Sequence, residues 1–262
     1  MAEPTPAPAA SPVPQVGHVT WHELSMSLSA GWRDFRRAPA FGLFFSAVYV
    51  LTGLGLVALG AGTVTWTLMI SLGFPLVAPF AAVGLYEVSR RLEDDEPLAW
   101  RAVLGVIARE KDRQIPWMGA IIVIYFLFWT FLAHMLFALI MGLGYISHFG
   151  TSFTLADFLT REALLMVAVE LGVGAVFAFV LFAMTVVSLP LLLEKEIDFI
   201  TAMLLSLAVV RANPVVMIGW AAIIAVLLLI AMLPYFLGLF IVLPVLGHAT
   251  WHLYRRALYD PV

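Results

Sequence analysis

The chain has 262 residues, 63% of them hydrophobic and 12% charged, with a mean hydropathy of +1.00. A soluble domain carries far more charge than this, and several apolar runs reach the ~20 residues a helix needs to cross a bilayer. The formal net charge of −3 argues against a nucleic-acid partner, and the absence of cysteine removes disulfides, thiolate ligands and a cysteine nucleophile.

The fold class that follows is an all-α polytopic membrane protein, because backbone polar groups in lipid must be satisfied within the segment and these runs lack the alternation of a barrel. In chain order, residues 1–16 (MAEPTPAPAASPVPQV) are rich in Pro and Ala, with neither a basic start nor an apolar stretch. They read as an unstructured tail rather than a secretory leader. Residues 17–262 read as one six-span membrane domain with spans near 39–61, 66–89, 116–142, 164–193, 214–233 and 236–256. In that arrangement Arg33, Arg36, Arg37, Arg90, Arg91, Arg101, Arg109, Lys111, Arg113, Lys195, Arg211, Arg255 and Arg256 share one side, with Arg161 on the other. The positive-inside rule then places both termini in the cytoplasm.

Arg36-Arg37-Ala38-Pro39, Arg113-Gln114-Ile115-Pro116 and Arg211-Ala212-Asn213-Pro214 each set Arg three residues before Pro at the start of a span. Proline suits a first helical turn and pushes its predecessor out of helix, so each step is expected to end one helix and begin another at an angle. Before each step lies a segment with helical periodicity. In 20–37, Trp21, Leu24, Leu28, Trp32 and Phe35 form one apolar face and Arg33-Asp34 a surface polar pair; 98–113 carries Leu98, Val103, Val106 and Ile107; 198–211 is more apolar. This predicts three units, about 20–92, 97–195 and 198–258, each an interfacial helix followed by a transmembrane hairpin, and so an approximate internal repeat. Arg36, Arg113 and Arg211, with Arg90 and Arg255, are candidates to meet lipid phosphate.

Two near-identical strings, GHVTWH at 17–22 and GHATWH at 247–252, each space two histidines four apart. The first contains Thr20 and Glu23, a capping box that opens the helix over 20–37. The second falls in the last turns of span six, where His248 and His252 share a face and Trp251 suits an interfacial aromatic belt. The strings are expected to do unrelated jobs, the alternative being a four-histidine site. Metal or haem binding would need a third ligand, for which Glu87 is the candidate; otherwise His248 hydrogen-bonds a neighbouring helix and His252 sits at the headgroups. Glu87 also stands at helical spacing from Arg90 and Arg91, so local ion pairs account for it. Residues 93–96 (EDDE) read as a solvated turn.

Inside the spans, His134 and Glu170 are the ionisable pair that could meet across a hairpin, as a hydrogen bond or as a proton-linked element. Thr154 and Asp157 fit a cap in the external loop, Pro75, Pro79 and Pro244 are expected to kink their spans, and Pro190 to end span four. No phosphate-binding loop, GxSxG, HExxH or CxxC motif is present, so no catalytic residue and no cofactor is assigned.

Gly31-Trp32-Arg33-Asp34-Phe35 with Pro39, GLYEVSRRLE at 84–93, SLPLLLEKEID at 188–198 and GHATWHLYRR at 247–256 together resemble a bacterial family of integral membrane proteins catalogued as a domain of unknown function. Some members carry a label of similarity to cytochrome c oxidase subunit I. That label would imply haem and copper histidines in mid-membrane, where His134 is the one histidine near the required depth and the span number is about half. The readings that remain are a scaffold or auxiliary factor working with lipid or a membrane complex, a small-molecule or proton-coupled transporter, and a haem- or metal-handling protein.

Overall fold

The computed structural model describes the backbone of residues 11–58, 64–142 and 160–259, and the side chains of these except 56, 57 and 64–78. Thr154, Asp157 and most of the expected external loop lie outside the described residues.

The described chain is helical apart from one short strand pair. Helix α1 (Trp21–Arg37) leads into α2 (Pro39–Ala58), then α3 (Val64–Glu93), α4 (Trp100–Glu110) and α5 (Ile115–Met141). After the loop come α6 (Arg161–Thr185), α7 (Ser188–Glu194), α8 (Phe199–Ala212), α9 (Pro214–Met232) and α10 (Leu239–Ala257). Strand β1 (Gln15–Val16) pairs antiparallel with β2 (Leu258–Tyr259), Gln15 opposite Tyr259 and Val16 opposite Leu258. Within the stretch expected to be a tail, Gln15 and Val16 are in strand, and the Ser11 backbone N–H donates to the Glu196 carbonyl at 3.0 Å; residues 1–10 lie outside the described residues.

Each of the three prolines lies at a helix start. Pro39 opens α2, Pro214 opens α9, and Pro116 is the second residue of α5. Ala38 between α1 and α2 is non-helical, and the two helices meet at 101°. The missing N–H of proline costs nothing in a first turn, and its ring disfavours helix at the residue before it. Thr20 caps α1 as expected: its hydroxyl accepts from Glu23 N–H at 3.3 Å and Glu23 Oε2 accepts from Thr20 N–H at 2.7 Å.

Among the described residues three helical runs are long and apolar enough to cross a membrane: α5, α6 with α7, and α9. The bent pair α1–α2 makes a fourth if counted as one span. Span four does not end at Pro190. The helix breaks at Val186–Val187 and resumes as α7 with Pro190 in its first turn. The cause is local, since a proline ring clashes with the carbonyl four residues earlier, here Val186. Buried Ser206 of α8 patches the break, donating to the Ala183 carbonyl at 2.7 Å and accepting from Val187 N–H at 3.4 Å.

The main core gathers Trp220, Met217, Trp251, Leu253, Leu191, Val209 and Met118 from α9, α10, α7, α8 and α5. Helix α1 makes its most extensive contact with α10. Its buried residues are Leu24, Ser27, Ala30, Gly31, Asp34 and Phe35, while Trp21 and Trp32 are exposed. This differs from the expected apolar face because small residues, not tryptophans, let two backbones approach. A Cβ on Gly31 would stand 2.6 Å from both the Ala249 nitrogen and the Val245 oxygen.

Candidate functional site

Three buried polar side chains meet where α1, α3 and α10 pack together. Asp34 on α1, Ser89 on α3 and His248 on α10 are 3%, 0% and 0% exposed. Ser89 Oγ donates to Asp34 Oδ2 at 3.0 Å and lies 2.8 Å from His248 Nδ1. His252 Nε2 lies 2.7 Å from the same Asp34 oxygen. A carboxylate only accepts and a hydroxyl has one proton, so with Ser89 donating to Asp34 the His248 Nδ1 must carry the proton that Ser89 accepts. Three helices are thus tied by one chain of hydrogen bonds running His248, Ser89, Asp34, His252. Arg256 extends it, its Nη1 donating to the His252 carbonyl at 2.9 Å and to Ser27 Oγ at 3.3 Å.

Burial works against the charge of Asp34, but the hydrogen bond and attraction of His252 and the hydrogen bond of Ser89 outweigh it, so its carboxyl lies below the usual value of 3.8. The residue types match a hydrolytic triad while the order does not. In a nucleophilic triad histidine stands between serine and carboxylate. Here serine stands between them and spends its proton on the carboxylate, so it is not poised for attack.

Arg33-Asp34 is accordingly not a surface pair: Arg33 is exposed and Asp34 is inside. Trp251 is likewise not in a lipid-facing belt. It is 1% exposed and its Nε1 donates to Glu93 Oε2 at 2.9 Å. His248 does bond a neighbouring helix, whereas His252 lies against Asp34 rather than among headgroups.

Beside this network sits a charged cavity of about 220 Å³. Glu87, fully buried, is its anchor: Oε2 accepts from Arg90 Nε at 2.9 Å, and Oε1 from Arg90 Nη2 at 3.0 Å and Arg91 Nε at 2.6 Å. The local pairing expected from the spacing is present. The acidic run after it is more than a solvated turn, since Asp94 and Glu96 pair with Arg90 and Glu93 receives Arg255 Nε at 3.3 Å. Arg255 Nη1 also meets Glu194 at 2.6 Å, and Tyr254 donates to Glu194. Arg113 pairs with Glu110 and Glu196.

Of the arginines expected at lipid phosphate, Arg90, Arg113 and Arg255 are therefore held in ion pairs. Arg36 and Arg211 are exposed and without an ion-pair partner among the described residues. His134 is exposed on α5, with Nδ1 2.7 Å from the Thr130 carbonyl of its own helix, and Glu170 is half-buried on α6. No hydrogen bond joins them. His18 and His22 are exposed, and the first histidine string is explained by its backbone: Asn213 Nδ2 donates to the Gly17 carbonyl at 3.0 Å and Asn213 Oδ1 accepts from Val19 N–H at 2.7 Å. Glu87 and His252 are committed to different partners, and His248 is bonded to Ser89 through Nδ1 while its Nε2 is buried without a hydrogen-bond partner among the described residues. Among the described residues no three histidine, aspartate or glutamate side chains gather as a metal would require.

Sequence reasoning missed Asp34, Ser89 and Asn213. The small residues Ser27, Ala30 and Gly31 at helical spacing from Asp34 were the available signal that this face packs closely and takes Asp34 inside.

The apolar helices define the class as an all-helical integral membrane protein. Residues 65–194 match the family described as "Predicted integral membrane protein (DUF2189)", the domain of unknown function that the motifs resemble. GLYEVSRR and SLPLLL fall inside the matched residues, GWRDF and GHATWH outside them. No curated protein and no solved structure matches the chain.

Proposed function

We propose that this is a non-enzymatic protein of the bacterial inner membrane that serves as a scaffold or an auxiliary assembly factor, for a membrane complex or for lipid organisation. Six spans form three hairpins, each preceded by a helix at the cytoplasmic face, with both termini in the cytoplasm. The helix lengths support this reading: α2, α3, α5, α9 and α10 have 20, 30, 27, 19 and 19 residues, close to what a bilayer requires. The distribution of arginine and lysine supports the orientation.

The observation that carries the functional reading is the tying of three helices by one polar network. Asp34, Ser89 and His248 are the groups best suited to chemistry, and they are buried and hydrogen-bonded to one another and to His252, His248 through Nδ1 alone, its Nε2 having no hydrogen-bond partner among the described residues. Groups that bind helices together in this way specify a structure rather than a turnover. A proton-coupled transporter would call on His134 and Glu170, which interact electrostatically but are not joined by a hydrogen bond, His134 Nδ1 lying against the Thr130 carbonyl. A haem or metal site would call on Glu87, His248 and His252; the Glu87 oxygens are held by Arg90 and Arg91, His252 Nε2 lies against Asp34, and no three such side chains gather among the described residues.

The test is gentle extraction from native membranes, with mass spectrometry for partners and lipids and elemental analysis of the same sample. The reading expects a stoichiometric protein or lipid partner. A stoichiometric metal or haem, lost in His248→Ala with the fold retained, would overturn it.

A further inference from the structure

Helix α1 has a second face. Ser29, Trp32, Arg33, Arg36 and Arg37 follow one another at helical spacing and line an open groove of about 520 Å³. All three arginines are exposed, and none has a hydrogen-bond or ion-pair partner among the described residues. That is unlike Arg90, Arg91, Arg113 and Arg255, which are each neutralised by a carboxylate. Arg36 and Arg37 favourably face the negative end of the α1 dipole, but Arg33 lies a turn earlier. Like charges three and four residues apart repel, so the cluster lacks a counter-anion.

Its position says what that anion is. Two residues after Arg36, α1 turns at Ala38 into α2 through 101°, and residues 38–86 contain no charged side chain. The guanidinium groups thus stand at the mouth of an uncharged stretch, the level of lipid phosphates. Trp32, 45% exposed with its ring 5.9 Å from that of buried Phe35, borders the groove, as interfacial tryptophans do.

We propose that this groove binds the phosphate of an anionic phospholipid of the cytoplasmic leaflet, with Arg33, Arg36 and Arg37 as its donors and Trp32 against the lipid backbone. Planar guanidinium forks match phosphate oxygens two at a time. A zwitterionic headgroup would bring its own cation against three arginines, so the site discriminates by net headgroup charge. The inference rests on the reading of α1 as a helix of the cytoplasmic leaflet.

The test is native mass spectrometry of the full chain in detergent, titrated with phosphatidylglycerol or phosphatidylcholine. Wild type retains phosphatidylglycerol in preference to phosphatidylcholine. The Arg33→Gln, Arg36→Gln, Arg37→Gln variant loses at least about tenfold in apparent affinity, given ~1 kcal/mol for each basic residue at an anionic surface. Arg101→Gln, at an exposed arginine of α4 outside the groove, retains the lipid. The single variants lose it stepwise, which keeps the test valid if the triple variant misfolds. Undiminished retention by a folded triple variant overturns the proposal, as do equal retention of both lipids and displacement by inorganic phosphate. The leaflet reading fails separately: external labelling of Arg37→Cys removes the orientation, whatever the lipid titration gives.

Discussion

His252 Nε2 lies 2.7 Å from Asp34 Oδ2 although 218 residues separate them in the chain. The contact closes α1 onto α10, and Ser89 of α3 shares the same carboxylate oxygen. Removing one partner of a buried charged contact leaves the others unsatisfied, so Asp34→Ala should cost ~3 kcal/mol. Asp34→Ala combined with His252→Ala should cost clearly less than the two single changes added together. Unfolding in detergent followed by tryptophan fluorescence checks both. Simple additivity would show that the pair is not coupled.

The same carboxyl sets an acid limit. Its folded value lies below 3.8, so it contributes stability that is fully present above 3.8 and is lost as pH falls through the folded value. The stability difference between wild type and Asp34→Asn should shrink as pH falls below the ordinary carboxyl range. Melting temperatures of both proteins against pH measure this. A difference that widens as pH falls below that range would contradict it.

Gly31 sets the distance between α1 and α10. A Cβ there would meet backbone atoms of Ala249 and Val245 at 2.6 Å, and neither is a flexible side-chain end. Gly31→Ala should therefore destabilise by ~1–3 kcal/mol despite the better helix propensity of alanine. A chemical denaturation series gives the value, and a stabilised variant would mean that the two helices lie further apart.

Asn213 fastens the segment before α1 through Gly17 and Val19, and also reaches the Val209 carbonyl at 3.0 Å. Asn213→Ala should release residues 11–19 with unchanged helix content. The expected result is faster cleavage N-terminal to Thr20 in limited proteolysis and, at ~1 kcal/mol for each lost hydrogen bond, a modest fall in stability. Unaltered protease resistance would show that β1 and β2 hold the segment without it.

What was legible in the sequence was local. The capping box of Thr20 and Glu23, the helix starts at Pro39, Pro116 and Pro214, and the pairing of Glu87 with Arg90 and Arg91 depend on neighbours within four residues. What was not legible depends on distant approach. The buried face of α1 is chosen by the clearance at Gly31 over a helix more than 200 residues away, which takes Asp34 inside and leaves Trp32 out. Trp251 goes inside because Glu93, at the end of α3, accepts its indole N–H. The break at Val186–Val187 follows from Pro190 by a local rule, but its tolerance rests on Ser206 from the next helix but one.

The proposed arrangement puts three arginine-then-proline steps on one side of the bilayer. The chain has no cysteine, so single cysteines can be introduced one at a time without a background. Ser25→Cys, Asp95→Cys and Asp198→Cys lie beside α1, α4 and α8, and Glu162→Cys and Tyr235→Cys lie at the opposite ends of the spans. Labelling intact cells with a membrane-impermeant maleimide should modify the last two and spare the first three until the inner membrane is opened. Modification of Ser25→Cys or Asp95→Cys in intact cells, or protection of Tyr235→Cys, would contradict the arrangement.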